Sequence, residues 1–181
     1  MSGLHHPDSL PSHQHTGLAG QYKAFQGAHG LCSVFRKEAW TLLDQGMVAV
    51  AEDSMGKRDV QFVRLRHKTG KVVFFMNHHG PLPLNSGGRC GAASTAFNLL
   101  KAIVAHAKPG DAIILVGDFN ANAASVTIKQ LSQRLTKVFQ GNFAGGIDNI
   151  FSNVNASAVV RKEILGSGGS DHDALVVVLK A

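Results

Sequence analysis

The chain has 181 residues, of which 44% are hydrophobic, and it carries a net charge of +6 at pH 7. This length suits one domain with a sizeable core, and no apolar run approaches the ~20 residues that a membrane span needs. The amino terminus also lacks the apolar centre of a signal peptide. The composition therefore argues against stable membrane insertion, and the positive charge favours a polyanionic partner over an acidic protein surface.

Residues 1–20 are rich in His, Ser, Gly and Pro and show no hydrophobic periodicity. We expect this segment to be a disordered tail, followed by a single domain over residues 21–181. Four histidines lie in the tail at irregular spacing, which predicts only weak, adventitious metal binding: His5, His6, His13 and His15.

Apolar runs separated by short turn signals predict a β-meander in the first half of the domain. The predicted strands are Leu31–Phe35, Trp40–Leu43, Met47–Ala51, Val60–Arg66 and Lys71–Asn77, and Asp44–Gly46 is predicted to be a turn between the second and third. The connections have hairpin length, so no helix is expected between these strands.

The second half of the domain combines helices with strands. The predicted helices are Ala92–Ala107, with an apolar face of Phe97, Leu100, Val104 and Ala107, and a second helix capped by Ser125, with Ile128, Leu131 and Leu135 on one face. The predicted strands are Ala112–Val116, Ile147–Ser152, Val159–Leu165 and Ala174–Lys180. Because strands outnumber helices, the pattern favours two packed sheets with helices outside them.

The most informative stretch surrounds the predicted strand that ends at Val116. The branched apolar run Ile113–Val116 is typical of a central strand buried on both faces. Asp118 and Asn120 follow Gly117 and are two residues apart, so in extended backbone their side chains point the same way. This pair suits a site for a metal ion, a water or a phosphate. Asp and Asn are also common turn residues, and this motif alone does not decide between the two interpretations.

Three further motifs accompany this Gly-Asp-Phe-Asn stretch in a fixed order: Phe75–His79, Gly146–Ser152 and Gly169–Asp173. Together the four motifs resemble the endonuclease/exonuclease/phosphatase superfamily, the DNase I-like proteins, over roughly Gly30 to Ala181. Each motif is short, but four in the family's order make the resemblance specific. It implies an α+β fold, the four-layer α/β/β/α sandwich, which agrees with the packed sheets that the strand pattern favours.

The resemblance also implies catalytic roles for five residues: His79, Asp118, Asn120, Asp148 and His172. Asp118 resembles the residue that orients or activates the attacking water, and Asn120 the one that holds the phosphate or water. His172 resembles a base or a stabiliser of the transition state, with Asp148 orienting it. His79 resembles a donor to the phosphate or leaving oxygen, whereas strand alternation directs His78 away from the site.

Asp171 resembles a metal ligand of the family, with Asp118 as a second carboxylate. Oxygen-rich ligands suit Mg²⁺, Mn²⁺ or Ca²⁺ better than Zn²⁺. The family, however, begins with a strand, a helix and a second strand ending in a Gln-Glu pair, whose glutamate is its principal metal ligand. The first glutamate here is Glu38. We therefore expect that the first strand–helix–strand is missing, that metal affinity is reduced, and that a partner covers the incomplete sheet.

The leading functional hypothesis is a divalent-metal-dependent phosphodiester hydrolase, a nuclease acting on nucleic acid, because the chain is basic. The resemblance leaves open a phosphatase-type or sphingomyelinase-type phosphoesterase. A catalytically impaired binding domain that lacks the metal glutamate is the alternative from another class. The two cysteines, Cys32 and Cys90, are expected to be free thiols, although the sequence does not exclude their pairing.

Overall fold

A computed structural model of the chain describes residues 20–180. The predicted disordered tail with its four histidines lies outside the described residues, apart from Gly20. The strands are β1 (Tyr22–Gln26), β2 (Cys32–Arg36), β3 (Trp40–Asp53), β4 (Gly56–His67), β5 (Val72–His79), β6 (Ala112–Asp118), β7 (Thr136–Gln140), β8 (Asp148–Ser152), β9 (Val159–Ile164) and β10 (Leu175–Leu179), and the α-helices are α1 (Ala92–His106) and α2 (Val126–Ser132). Cys32 and Cys90 are exposed free thiols, as expected.

A six-stranded sheet in the order β3-β4-β5-β6-β8-β7 forms the centre of the fold. Only β5 and β6 run parallel, and the other neighbours are antiparallel. Both helices contribute to the core on one face of this sheet. The core residues with no exposed surface include Phe74, Met76, Leu115 and Phe151 of the sheet and Leu99 and Leu131 of the helices.

A second layer covers the other face of the sheet only in part. It consists of two separate antiparallel sheets, β1-β2 and β9-β10. The first packs Phe35 of β2 against Val63 and Leu65 of β4, and the second places Lys162 of β9 over the Phe139 ring of β7. The predicted α+β architecture is confirmed, and residues 20–180 contain no further strand that joins the two small sheets.

The predicted turn at Asp44–Gly46 is wrong, because β3 runs unbroken through these residues. Two register shifts in its pairing with β4, near Leu42 and Ala49, take up the irregularity. Gly46 is required for packing rather than turning, since a Cβ atom there would lie 2.7 Å from the Phe62 ring.

The predicted apolar face of α1 is only half right, because Leu100 and Ala107 pack against the core and the other two residues do not. Phe97 and Val104 are 63% and 84% exposed, and the buried face carries Thr95, Ala96, Leu99, Ala102 and Ile103 instead. The sequence offers two apolar stripes, and the small side chains of the second allow the helix to approach the sheet closely. Neither α-helix of the described residues is long and apolar enough to cross a membrane.

Candidate active site

The register of three neighbouring strands places three polar side chains in one row across the sheet. His79 at the end of β5 pairs with Asp118 of β6, and Asp118 pairs with Asp148 of β8. Paired residues share a face of the sheet, so these side chains point toward the second layer. His78 points to the opposite face and is buried there at 1% exposure, as alternation predicted.

His172 reaches this row from the loop between β9 and β10. Glycines at 166, 168 and 169 with positive φ allow the loop to turn sharply, and Ser170 Oγ accepts the His172 backbone N–H at 3.1 Å. His172 Nδ1 then lies 2.8 and 2.9 Å from the two carboxylate oxygens of Asp148. The Phe143 ring packs against the imidazole with a centroid distance of 4.2 Å. The two layers of the sandwich are therefore linked at the site itself.

The carboxylate of Asp118 lies between two imidazole rings. Its Oδ2 is 3.7 Å from His79 Nε2 and 3.9 Å from His172 Nε2. Both distances exceed a hydrogen bond, so none of these three groups is tied directly to another through these atoms. The other oxygen, Oδ1, accepts the backbone N–H of Asn120 at 2.7 Å, which fixes the orientation of the carboxylate.

Asn120 occupies a left-handed backbone conformation, with φ of 44°, and is 8% exposed. Its side-chain Nδ2 donates to the backbone carbonyl of Gly80 at 3.0 Å. Its backbone carbonyl accepts the backbone N–H of Asn85 at 2.8 Å. Only glycine fits at position 80, because a Cβ atom there would lie 2.0 Å from the Phe119 carbonyl oxygen. The Asn120 amide therefore connects the loop after β5 to the loop after β6, and its predicted contact with phosphate or water remains a prediction.

Asp171, the other predicted metal ligand, is exposed, and its carboxylate accepts a hydrogen bond from Ser170 Oγ at 3.4 Å. Asp118, Asp148 and His172 each offer one ligand atom, and these atoms lie within 4.8 Å of one another. Asp148 already accepts the His172 N–H, so Asp118 is the less committed of the two carboxylates. Their oxygens fit a divalent cation that takes its remaining ligands from water and substrate oxygens, and Asp171 is not part of this group.

The His172 imidazole and its neighbours shift one another's titration. Burial disfavours the charged imidazolium, but the hydrogen bond to Asp148 and the charges of Asp148, Asp118 and Asp171 outweigh it, so the pKa of His172 is raised. Burial also raises the pKa of Asp148, against the opposing hydrogen bond from His172. The pair thus favours the protonated form of His172 more than solvent would.

Sequence reasoning missed two contacts of this site. The Phe143 ring against His172 comes from a short 3-10 turn, Phe143–Gly145, with no recognisable motif. His79 Nδ1 lies 3.3 Å from the backbone carbonyl oxygen of His29, a contact to which any residue type at position 29 would contribute equally. A main-chain acceptor leaves no side-chain signal in the sequence, so this partner was not predictable.

No protein-family model and no curated protein sequence matches the chain. Solved structures do match. An endonuclease/exonuclease/phosphatase from Bacteroides vulgatus aligns with a TM-score of 0.70 and 18% identity, over 90% of this chain and 77% of its own. The human Nocturnin catalytic domain with bound sulfate anion gives 0.67 and 16%, over 93% and 75%. TDP2 from D. rerio, complexed with a single-strand DNA product, gives 0.64 and 14%, over 90% and 78%. At these identities the likeness establishes a shared fold.

Proposed function

We propose that this chain, which has the endonuclease/exonuclease/phosphatase fold, is a divalent-metal-dependent phosphodiester hydrolase that acts on nucleic acid. The observation that carries the proposal is the row of His79, Asp118 and Asp148, with His172 bonded to its end. Phosphodiester hydrolysis needs an aligned water, neutralised phosphate charge and a stabilised leaving oxygen. The row contains one group suited to each of these tasks.

In the proposed reaction, the phosphate lies over Asp118 and the two imidazoles. Asp118 Oδ2 accepts a hydrogen bond from the attacking water, directs its oxygen at phosphorus and takes its proton as the new phosphorus–oxygen bond forms. In its protonated form, which the contact with Asp148 favours, His172 donates from Nε2 to a phosphoryl oxygen as negative charge builds in the transition state. His79 Nε2 donates to the leaving oxygen as the phosphorus–oxygen bond breaks. Asn120 keeps Asp118 in position through its backbone N–H.

The cation proposed for this site is Mg²⁺ or Mn²⁺, with Ca²⁺ in the same class of hard ions. Asp118 would hold it, with Asp171 on the His172 loop as the second carboxylate, and the ion would neutralise charge on the phosphate. Among the described residues no glutamate lies in the ligand group around Asp118, and Glu52 pairs with Arg89 and Glu163 with Arg161. The reduced metal affinity expected from the sequence therefore remains part of the proposal.

Nucleic acid is the proposed substrate class for two reasons. The net charge of +6 favours a polyanion, because phosphate neutralisation by Lys and Arg releases bound counterions. The D. rerio TDP2 structure with the same fold holds a single-strand DNA product. Phosphate monoesters and phospholipids are the competing substrates.

The experiment compares hydrolysis of four substrates by the full chain with Mg²⁺ or Mn²⁺ and with a chelator: single-stranded DNA, plasmid DNA, sphingomyelin and p-nitrophenyl phosphate. The proposal predicts metal-dependent cleavage of DNA that the chelator abolishes. Faster turnover of the monoester or of sphingomyelin would overturn the substrate assignment. Absence of hydrolysis under every metal would favour the binding-domain alternative.

A further inference from the structure

The second layer of the sandwich contains a gap between its two small sheets. β1 pairs with β2 and β9 pairs with β10, and within residues 20–180 no strand pairs with the other edge of β2 or of β10. The main-chain groups along these two edges therefore have no ladder partners. Both edges border one cavity, because Val34 and Phe35 of β2 and Val177 and Leu179 of β10 line it.

The floor of this gap is the face of β5 and β6 that carries the candidate site. Val73, Phe75 and Ile114 are only half-buried there, whereas Phe74 and Leu115 on the opposite face have no exposed surface. β5 and β6 are therefore fully packed on the helix face and only partly covered on the face toward the gap. The floor is therefore an apolar surface that a covering layer would stabilise.

Three cavities of about 430, 530 and 730 Å³ join along this floor, and together they form what we call the interlayer groove. The first two share Phe75, Ile114 and Val177, and the last two share Trp40, Val73 and Lys180. The groove follows β5, a strand of eight residues. Its length therefore matches one strand of ordinary size.

The two ends of the interlayer groove differ in charge. Asp118 and Asp148 line the end at the candidate site. Lys71 and Lys180 line the far end together with His67 and the Arg64–Asp111 ion pair, so this end carries a net positive charge. An extended segment with an acidic residue at one terminus should therefore bind with that terminus at the far end, beside the lysines and away from the two aspartates.

We infer that the interlayer groove docks an extended segment of a partner polypeptide. The segment pairs through its main chain with β2 and β10, lays alternate apolar side chains on β5 and β6, and places an acidic residue beside Lys71 and Lys180. Two unpaired strand edges that border one cavity require main-chain donors and acceptors, which a polypeptide supplies and a lipid chain does not. Residues 1–19 are unsuited as this central strand, because Pro7 and Pro11 lack an N–H and no apolar alternation occurs there.

The test uses the full chain and a fluorescein-labelled peptide of nine residues, an Asp followed by alternating Val and Thr. A control peptide replaces the central Thr with Pro, which removes one main-chain donor. The inference predicts saturable binding by fluorescence anisotropy, at least about tenfold weaker for the Pro peptide, and slower amide hydrogen exchange in β2 and β10 on binding. Failure of the alternating peptide to bind more tightly than the Pro peptide would overturn it.

Two substitutions on β10 separate the groove from the rest of the surface. Val177→Asp places a carboxylate in the groove, whereas Val178→Asp changes the outward face of the same strand, where Val178 is 43% exposed. We expect the first to abolish peptide binding and the second to preserve it. Equal binding by both variants would contradict the inference. Sedimentation without peptide is the remaining control, since a dimer lost only in Val177→Asp would assign the groove to a second copy. None of these readouts depends on hydrolysis.

Discussion

His172 Nδ1 and Asp148 Oδ2 lie 2.8 Å apart and belong to different layers of the sandwich. Asp148 is the last member of a row built by strand register, and His172 comes from the loop that joins β9 to β10. The carboxylate accepts the Nδ1 hydrogen, so Nε2 is left to face Asp118. This one contact fixes the orientation of the imidazole and helps to raise its pKa.

Asp148→Asn should lower the pKa of His172, because it removes the charge that stabilises the imidazolium. If protonated His172 is the active form, the fall in turnover with rising pH should move to lower pH in the variant. The loss of rate at neutral pH should be smaller than for His172→Ala. NMR titration of the metal-free protein measures the pKa, and Asp44→Asn is the matched control. An unchanged His172 pKa would show that Asp148 does not hold the imidazolium.

Mg²⁺ should bind with a dissociation constant weaker than about 10⁻⁴ M, because few carboxylates are free to ligate it. Asp118→Asn should weaken binding further, whereas Glu163→Gln, at an exposed ion pair, should leave it unchanged. Calorimetric titration with Mg²⁺ and Mn²⁺ checks both. Micromolar affinity in the wild type would contradict this and would mean that a further anionic group ligates the ion beside Asp118 and Asp171.

Asp53→Ala should destabilise the fold by about 3–5 kcal/mol, because it leaves the buried Arg58 guanidinium without its partner. It also removes the acceptor of the Leu82 backbone N–H. That hydrogen bond anchors the loop after β5, in which the Asn85 N–H donates to Asn120. Glu52→Ala is the neighbouring control, whose ion pair with Arg89 is exposed and worth about 0–1 kcal/mol. Urea unfolding measures both, and equal losses would contradict the argument.

Burial lowers the pKa of His78 to about 4. Between pH 6.5 and 4, His78 is therefore protonated in the unfolded chain but neutral in the folded one. Its contribution to the free energy of unfolding is complete above pH 6.5 and is lost as the pH falls toward 4. The expected loss is about 3 kcal/mol, at ~1.4 kcal/mol per unit of pKa. His78→Gln retains a donor for the Asp59 carbonyl but does not titrate. The difference in unfolding free energy between wild type and variant should shrink as the pH falls from 6.5 to 4. A difference that stays constant would refute the lowered pKa of His78.

The sequence predicted the elements whose patterns are strictly local. Ser125 caps α2 as expected, with its side chain accepting the Ile128 N–H at 3.1 Å. His79 and Asp118 end β5 and β6, Asp148 begins the antiparallel β8, and the structure brings the three together in one row.

Features that depend on tertiary packing were not predictable. The sequence pattern around Gly46 indicates a turn, and only the structure shows the Phe62 ring packed against it. The sequence of α1 contains two apolar stripes and does not indicate which one is buried against the sheet. β1 and β7 were missed because each has only five residues and no strict alternation. The hydrogen bond from Asn120 Nδ2 to the Gly80 carbonyl was not predictable either, because it depends on the packing of two loops.

Turnover by the His172→Ala variant tests whether the row around Asp118 is the site of phosphodiester hydrolysis. The imidazole lies in a surface loop, so its removal should leave the fold intact, while loss of a positioned donor typically costs about 10²–10⁴ in rate. The measurement is metal-dependent hydrolysis of single-stranded DNA by wild type, His172→Ala and His67→Ala, a control histidine that packs on Trp40 away from the row. We predict near-complete loss in His172→Ala alone. Equal turnover by wild type and His172→Ala would contradict the account.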